Sequence, residues 1–195
     1  MKIIVTTSKN YLHLVPVFDY LFKKNFSGYT YELFKSELPA NEWSNDLRKL
    51  FTKQPDHFIW LMEDTFIKSV NFKLLEQAIY HIEDNPIIGK FCLTNESMRR
   101  EHTNQGDMFR VSQTARYRLS TQPAIWSRRF ALEYLHNGQS PWDFETQDPF
   151  NDGFRITGFT ENVIEHNEGV RKYDVNNLNL SGFDENDTRI IKSLV

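Results

Sequence analysis

The run Phe58-Ile59-Trp60-Leu61-Met62 breaks off at once into Glu63-Asp64-Thr65. A short unbroken apolar stretch bounded by polar residues reads as a buried strand, and this one delivers two carboxylates at its C-terminal end. Lys2–Thr7, Tyr29–Phe34 and Ile87–Leu93 also have strand character, and Phe109–Ser120 shows it with arginines interleaved. Between these pieces, apolar residues recur at helical spacing over Tyr11–Phe22, from Ser44 or Asn45 to Thr52, and over Asn71–Ile82, which Asn85-Pro86 stops. A further helix is expected over Pro123–Leu135, ended by Asn137-Gly138, a pair suited to a left-handed stop. Strands alternating with helices predict an α/β protein, a single αβα sandwich around a mostly parallel, mixed central sheet.

The 195 residues fit one domain and bury a core without covalent or metal staples. Residues 1–175 are expected to form that domain, with the polar, Asn-rich segment 176–195 packing on it or partly disordered. The lone Cys92 excludes an internal disulfide and a multi-cysteine zinc site. No apolar run approaches the ~20 residues of a membrane span. The start Met1-Lys2-Ile3-Ile4-Val5 turns polar too soon for a signal-peptide core, so a cytoplasmic protein is expected. The first strand-to-helix turn, Thr6-Thr7-Ser8-Lys9-Asn10, lacks the glycines that a Walker loop or a dinucleotide fingerprint needs against phosphate. Residues 99–129 carry 7 Arg, no Lys and 2 acids within a chain of net charge −3. Guanidinium forks match phosphate oxygens, whereas the acidic total argues against a dedicated duplex-DNA binder.

Two constellations carry chemistry. Glu63 and Asp64 are hard oxygen donors at the carboxyl end of a strand, where open α/β sheets bind ligands. The pair suits Mg²⁺ or Mn²⁺ carrying a diphosphate; it equally suits an acidic cap on a following helix. Ser120-Thr121-Gln122-Pro123-Ala124-Ile125-Trp126 and Gln139-Ser140-Pro141-Trp142-Asp143-Phe144-Glu145 flank the fourth predicted helix. Indole faces pack on sugar rings, and a neighbouring carboxylate takes a proton from an attacking hydroxyl. The other reading keeps Trp126 and Trp142 in the core and the acids in solvent.

The strand ending in Glu63-Asp64, the Leu119–Trp126 stretch and Pro141-Trp142-Asp143-Phe144-Glu145 resemble small GT-A-fold glycosyltransferases of bacterial polysaccharide loci, large DNA viruses and phages. In element order the resemblance spans about residues 1–175. It implies a nucleotide-sugar donor, a UDP-sugar first, with Mn²⁺ or Mg²⁺ and a hydroxyl acceptor. The family's Asp-x-Asp becomes Glu63-Asp64-Thr65, which makes Asp64 the direct metal ligand and places Glu63 on the ribose or behind a water. His166 is the later metal candidate. Glu145 is the implied base with Asp143 as its substitute, and Arg116 or Arg118 would assist the departing diphosphate. Thr6, Thr7 and Ser8 would border the nucleoside, and Gln122, Trp126 and Trp142 would contact sugar or acceptor. The implied reaction is a single displacement that inverts the anomeric centre.

The expected acceptor is a glycan. A hydroxymethylated base in DNA is the second reading, with the Arg-rich segment, Tyr117 and Phe109 holding the strand. A non-catalytic sugar- or nucleotide-binding module would keep the tryptophans without needing the acids. A nucleotidyltransferase also uses paired acids with Mg²⁺, but the glycine-rich loop that usually holds its triphosphate is missing.

Overall fold

The computed structural model describes residues 1–96, 102–147, 152–171 and 174–195. Its strands are β1 (Lys2–Ser8), β2 (Glu32–Ser36), β3 (His57–Met62), β4 (Thr65–Val70), β5 (Ile88–Cys92), β6 (His102–Gln105), β7 (Met108–Val111), β8 (Ala124–Ser127), β9 (Arg155–Phe159), β10 (Ile164–Glu168), β11 (Val170–Arg171) and β12 (Asp174–Leu178). The helices are α1 (Val15–Asn25), α2 (Trp43–Phe51), α3 (Phe72–Asp84), α4 (Arg128–Tyr134), α5 (Pro141–Thr146) and α6 (Glu185–Leu194). Eight strands form one sheet in the order β2-β1-β3-β8-β5-β9-β7-β6. β8 and β7 run against the other six, so the sheet is mixed with one dominant direction.

Alternation along the central strands sorts the core into two layers. Phe58, Trp60 and Trp126 face α2, α4 and α5, packing with Trp43, Leu47, Phe130 and Phe144. Ile59, Leu61 and Ile125 face the other way, onto Phe18 and Phe22 of α1 and Leu75, Ala78 and Ile82 of α3. The αβα sandwich expected from the sequence is therefore present. Beside it β10 pairs antiparallel with β4, Glu168 lying opposite Thr65. Helix α6 docks on α1: Lys24 Nζ and Tyr20 Oη both donate to Asp187 at 2.6–2.7 Å, and Ile191 packs with Leu14, Val17 and Leu21.

Several elements differ from the sequence reading. Ala124–Ser127 is a fully buried strand, and only Arg128–Tyr134 is helical. The slot between β3 and β5 takes an extended segment hydrogen-bonded on both sides, and that pairing overrides a helical spacing of apolar residues. Glu63-Asp64 does not cap a helix; it turns β3 into β4. The helix expected over Tyr11–Phe22 divides, because Pro16 sits in the first turn of α1, where its missing N–H costs no hydrogen bond. A 3₁₀ turn, Lys9–Leu14, precedes it. The second strand begins at Glu32 rather than Tyr29, and β7 ends at Val111, leaving Ser112–Pro123 irregular.

That irregular segment is anchored from below. Arg118, 3% exposed, donates to both carboxylate oxygens of Asp152 at 2.9 and 3.1 Å, to Tyr134 Oη at 2.8 Å and to the Phe154 carbonyl at 3.1 Å. Tyr134 Oη also donates to Asp152. Buried Lys90 donates to the Ser120 carbonyl at 2.5 Å, its ammonium 4.7 Å from the centre of the Trp126 ring. Removing one partner of a buried ion pair strands the other's charge, so D152A is expected to cost about 3–5 kcal/mol in urea unfolding. The exposed Lys2–Glu32 pair is the control, and E32A should change stability by less than ~1 kcal/mol.

Candidate active site

A cleft of about 740 Å³ opens at the carboxyl ends of β1 and β3. The topology gathers its walls from distant parts of the chain. β1 and β3 run parallel, so Thr7 and Ser8 end beside Glu63, whose N–H reaches the Thr6 carbonyl at 3.3 Å. β8 runs back between β3 and β5, so Thr121 and Gln122, just before it, arrive at the same edge. The Gly169 N–H donates to the Asp64 carbonyl at 2.6 Å and clamps the end of β10 onto the β3–β4 turn. Helix α5 closes the remaining side with Trp142 and Glu145. Its entry is fixed by a capping box, in which Ser140 Oγ accepts from Asp143 N–H and the Asp143 carboxylate accepts from Ser140 N–H.

The cleft is acidic. Glu63, Asp64, Glu145 and Glu168 line it, and no Lys or Arg appears among its described lining residues. Burial, then the charge of Glu168, then that of Glu145, push Asp64 from 3.8 up to about 6. Burial and Asp64 hold Glu63 well above the ordinary carboxylate range, favouring its neutral acid, and its buried Oε2 lacks a hydrogen-bond partner. Glu145 Oε1 accepts from both the Thr121 N–H (2.5 Å) and Thr121 Oγ1 (2.7 Å). Gln122 bridges β10, its Nε2 donating to Glu168 Oε1 while its Oε1 pairs with His166 Nε2, both at 3.0 Å. Burial, more than any neighbouring charge, lowers His166 to about 4, so its imidazole is neutral at neutral pH.

Among the described residues, no three His, Cys, Asp or Glu side chains close into a ready-made metal cage. The donor set still fits a divalent cation that arrives with phosphate. Mg²⁺ and its analogues commonly take one or two carboxylates and complete their shell with phosphate oxygens and water. A diphosphate entering four carboxylates without a basic side chain needs such a cation to offset the repulsion.

The structure thus brings Thr7, Ser8, Glu63, Asp64, Gln122, Trp142, Glu145 and His166 to one cleft. Five other residues singled out in the sequence lie elsewhere or are otherwise engaged. Trp126 is fully buried between β3 and α4 and presents no face to a sugar. Arg118 is committed to Asp152 beneath the sheet edge and cannot reach a diphosphate without breaking that pair. Asp143 spends its carboxylate on the capping box, which also holds it below its usual range. Thr6 is buried, with Oγ1 accepting from Trp60 Nε1 at 2.8 Å. Arg116 is exposed and stacks on Tyr117, outside the lining. Arg99 and Arg100, part of the Arg-rich stretch, lie outside the described residues.

Sequence reasoning gave no role to Thr121, although it lies in a run singled out there, and none to Glu168 or Trp43. Glu168 carries a usable signal, because it stands two residues after His166, the spacing that shares one face of a strand. Thr121 and Trp43 have none, since their place at the cleft follows from β8 and from the docking of α2.

No helix among the described residues is long and apolar enough to cross a membrane. No protein-family model and no curated protein matches the chain. Solved structures with overall similarity include A197 from STIV, at 14% identity and TM-score 0.48 over 88% of this chain and 87% of that one. CMP:2-keto-3-deoxy-manno-octonic acid synthetase complexed with CTP aligns at 12% identity and TM-score 0.45 over 86% of this chain and 92% of that one. An apo UDP-glucose pyrophosphorylase aligns at 10% identity and TM-score 0.45 over 100% of this chain and 82% of that one.

Proposed function

We propose that this protein is a glycosyltransferase that moves a sugar from a nucleoside diphosphate sugar to a hydroxyl acceptor, with a divalent cation at Asp64. The observation that carries the reading is the joining of two features in one cleft. A carboxylate cluster around Asp64 has no basic counter-charge among its described lining. Glu145 stands across from it with one oxygen pinned by Thr121. The first suits a metal-borne diphosphate, and the second suits a base.

Asp64 and Glu168 would hold Mg²⁺ or Mn²⁺, and the bound cation would supply charge neutralisation to the diphosphate. Glu63 would border the ribose or reach the cation through a water. Thr7 and Ser8 border the nucleoside. With Oε1 engaged, Glu145 Oε2 takes the proton of the acceptor hydroxyl. The acceptor oxygen bonds to the anomeric carbon as the bond to the diphosphate oxygen breaks and its electron pair leaves with the diphosphate. Attack from the side opposite the nucleotide inverts the centre. His166, neutral and tied to Gln122, holds the bridge to Glu168 rather than acting as a charged group. A nucleotidyltransferase reading is disfavoured, because a triphosphate brings still more negative charge into a cleft whose described lining has no lysine or arginine.

The test is calorimetry with UDP and UDP-sugars, with and without Mn²⁺, joined to a transfer assay. E145Q is expected to lose about 10²–10⁴-fold in transfer rate while keeping its affinity for Mn²⁺–UDP. D64N should lose Mn²⁺-dependent UDP binding and transfer, yet melt higher than wild type at pH 7. The sign follows from Asp64's raised value: between about pH 4 and 6 the unfolded chain has ionised while the folded protein holds its proton, so stability falls as pH rises through that window. Removing the charge recovers about 1–3 kcal/mol, or about 2–12 °C at this chain length. A lower melt in D64N would make Asp64 a structural residue. Because the cation needs the carboxylate ionised, Mn²⁺–UDP affinity should also weaken about tenfold per unit below pH ~6 and level off above it.

A further inference from the structure

Outside the acid cluster, the cleft has a rim of different chemistry. Trp142 is 54% exposed although it is a large aromatic residue lining the cavity. It stands one helical turn before Glu145 on α5, so the two side chains share a helix face. The Tyr117 ring meets it edge-on, with centroids 5.7 Å apart, and the Arg116 guanidinium lies 4.9 Å from the centre of the Tyr117 ring. The three form a short row leading out of the cleft from indole to phenol to cation.

We infer that this row is the acceptor subsite, that Trp142 carries the acceptor's sugar ring, and that Arg116 reads a single anionic substituent, a carboxylate or phosphate, on that glycan. The inference rests on the glycosyltransferase reading and names its acceptor class. Stacking occupies only the face of a guanidinium and leaves its in-plane N–H donors for a two-pronged contact with an anion. The row is also held in place. Tyr117 keeps a left-handed backbone, φ 56°, which a non-glycine residue adopts only where its surroundings fix it. Its carbonyl accepts from the Ser120 N–H at 3.0 Å, Ser120 is held by Lys90, and the next residue is the buried Arg118. An arginine on a rigid rim loses little freedom on binding.

Charge decides between a charged glycan and a nucleic acid. A polyanion is held by many phosphate contacts at once. Here the described lining holds four acidic side chains and no cation, and Arg116 stands beside it. A single negative group on the outer side of an otherwise neutral sugar satisfies Arg116 without entering that field.

The experiment uses the full chain saturated with Mn²⁺–UDP and titrates three probes by calorimetry: p-nitrophenyl glucuronide, p-nitrophenyl glucoside and a single-stranded oligonucleotide. Wild type should bind the glucuronide about tenfold tighter than the glucoside. R116Q should erase that preference without altering the Mn²⁺–UDP affinity measured beforehand, and W142A should weaken both glycosides. Equal binding of the two glycosides, no binding of either, or a preference that survives in R116Q overturns the inference. Tighter binding of the oligonucleotide overturns it in favour of a nucleic-acid acceptor. Failure of Mn²⁺–UDP to bind wild type would instead strike the glycosyltransferase reading itself, so the two failures are separable. The exposure of Arg116 keeps R116Q foldable, and a thermal melt checks that.

Discussion

Asp64 occupies a place where burial and two neighbouring carboxylates all oppose its charge. Nothing local would keep it there: an isolated turn bearing Glu63-Asp64 would swing both acids into water. What holds the repulsion in place is the scaffold. Strand β3 is packed on both faces and flanked by β1 and β8, so its C-terminal end has no freedom to retreat. The Gly169 N–H then grips the Asp64 carbonyl, and Thr121 restrains Glu145 on the opposite wall. An interior rich in Trp, Phe and Ile tolerates the cost of this acid cluster because its own burial is large by comparison.

The site divides into parts with opposite demands. Its inner half collects negative charge, which in the proposed function a divalent cation would offset. At its rim stands the exposed Trp142, with Tyr117 and Arg116 just beyond the lining, the row inferred above to take the acceptor. Gln122 lies at the join, bonded at one end to His166 and at the other to Glu168. Because burial keeps His166 neutral, the bridge holds at neutral pH without adding a second charge beside Asp64.

Much of this was legible in the chain itself. An apolar strand ending in two acids announced both a strand of the sheet and the acids that line the cleft. Pro141-Trp142 followed by Glu145 marked the wall opposite, and strands alternating with helices predicted the sandwich. What escaped was whatever depended on tertiary partners. Ala124–Ser127 continues the helical spacing of Phe130, Ala131 and Tyr134, and only the slot between β3 and β5 makes it a strand. Trp126, which the resemblance implied would contact sugar or acceptor, instead packs in the core on Trp60 and Phe130. Arg118 and Arg116 look alike in sequence, two residues apart in one basic stretch. Asp152 buries the first, and Tyr117 holds the second at the surface. No local pattern separates them, because the deciding carboxylate lies 34 positions downstream.

The central position of β8 has a consequence for how the chain is made. β3 and β5 do not bond to each other; each waits for Ala124–Ser127 to fill the gap between them. During synthesis Phe58–Met62 therefore emerges seconds before its second neighbour does, as an apolar strand with one edge open to pairing with any other chain. Contacts this distant in sequence also close slowly. Until β8 has been translated, β3 therefore keeps one edge unpaired, although β5, β6 and β7 of the same sheet already exist.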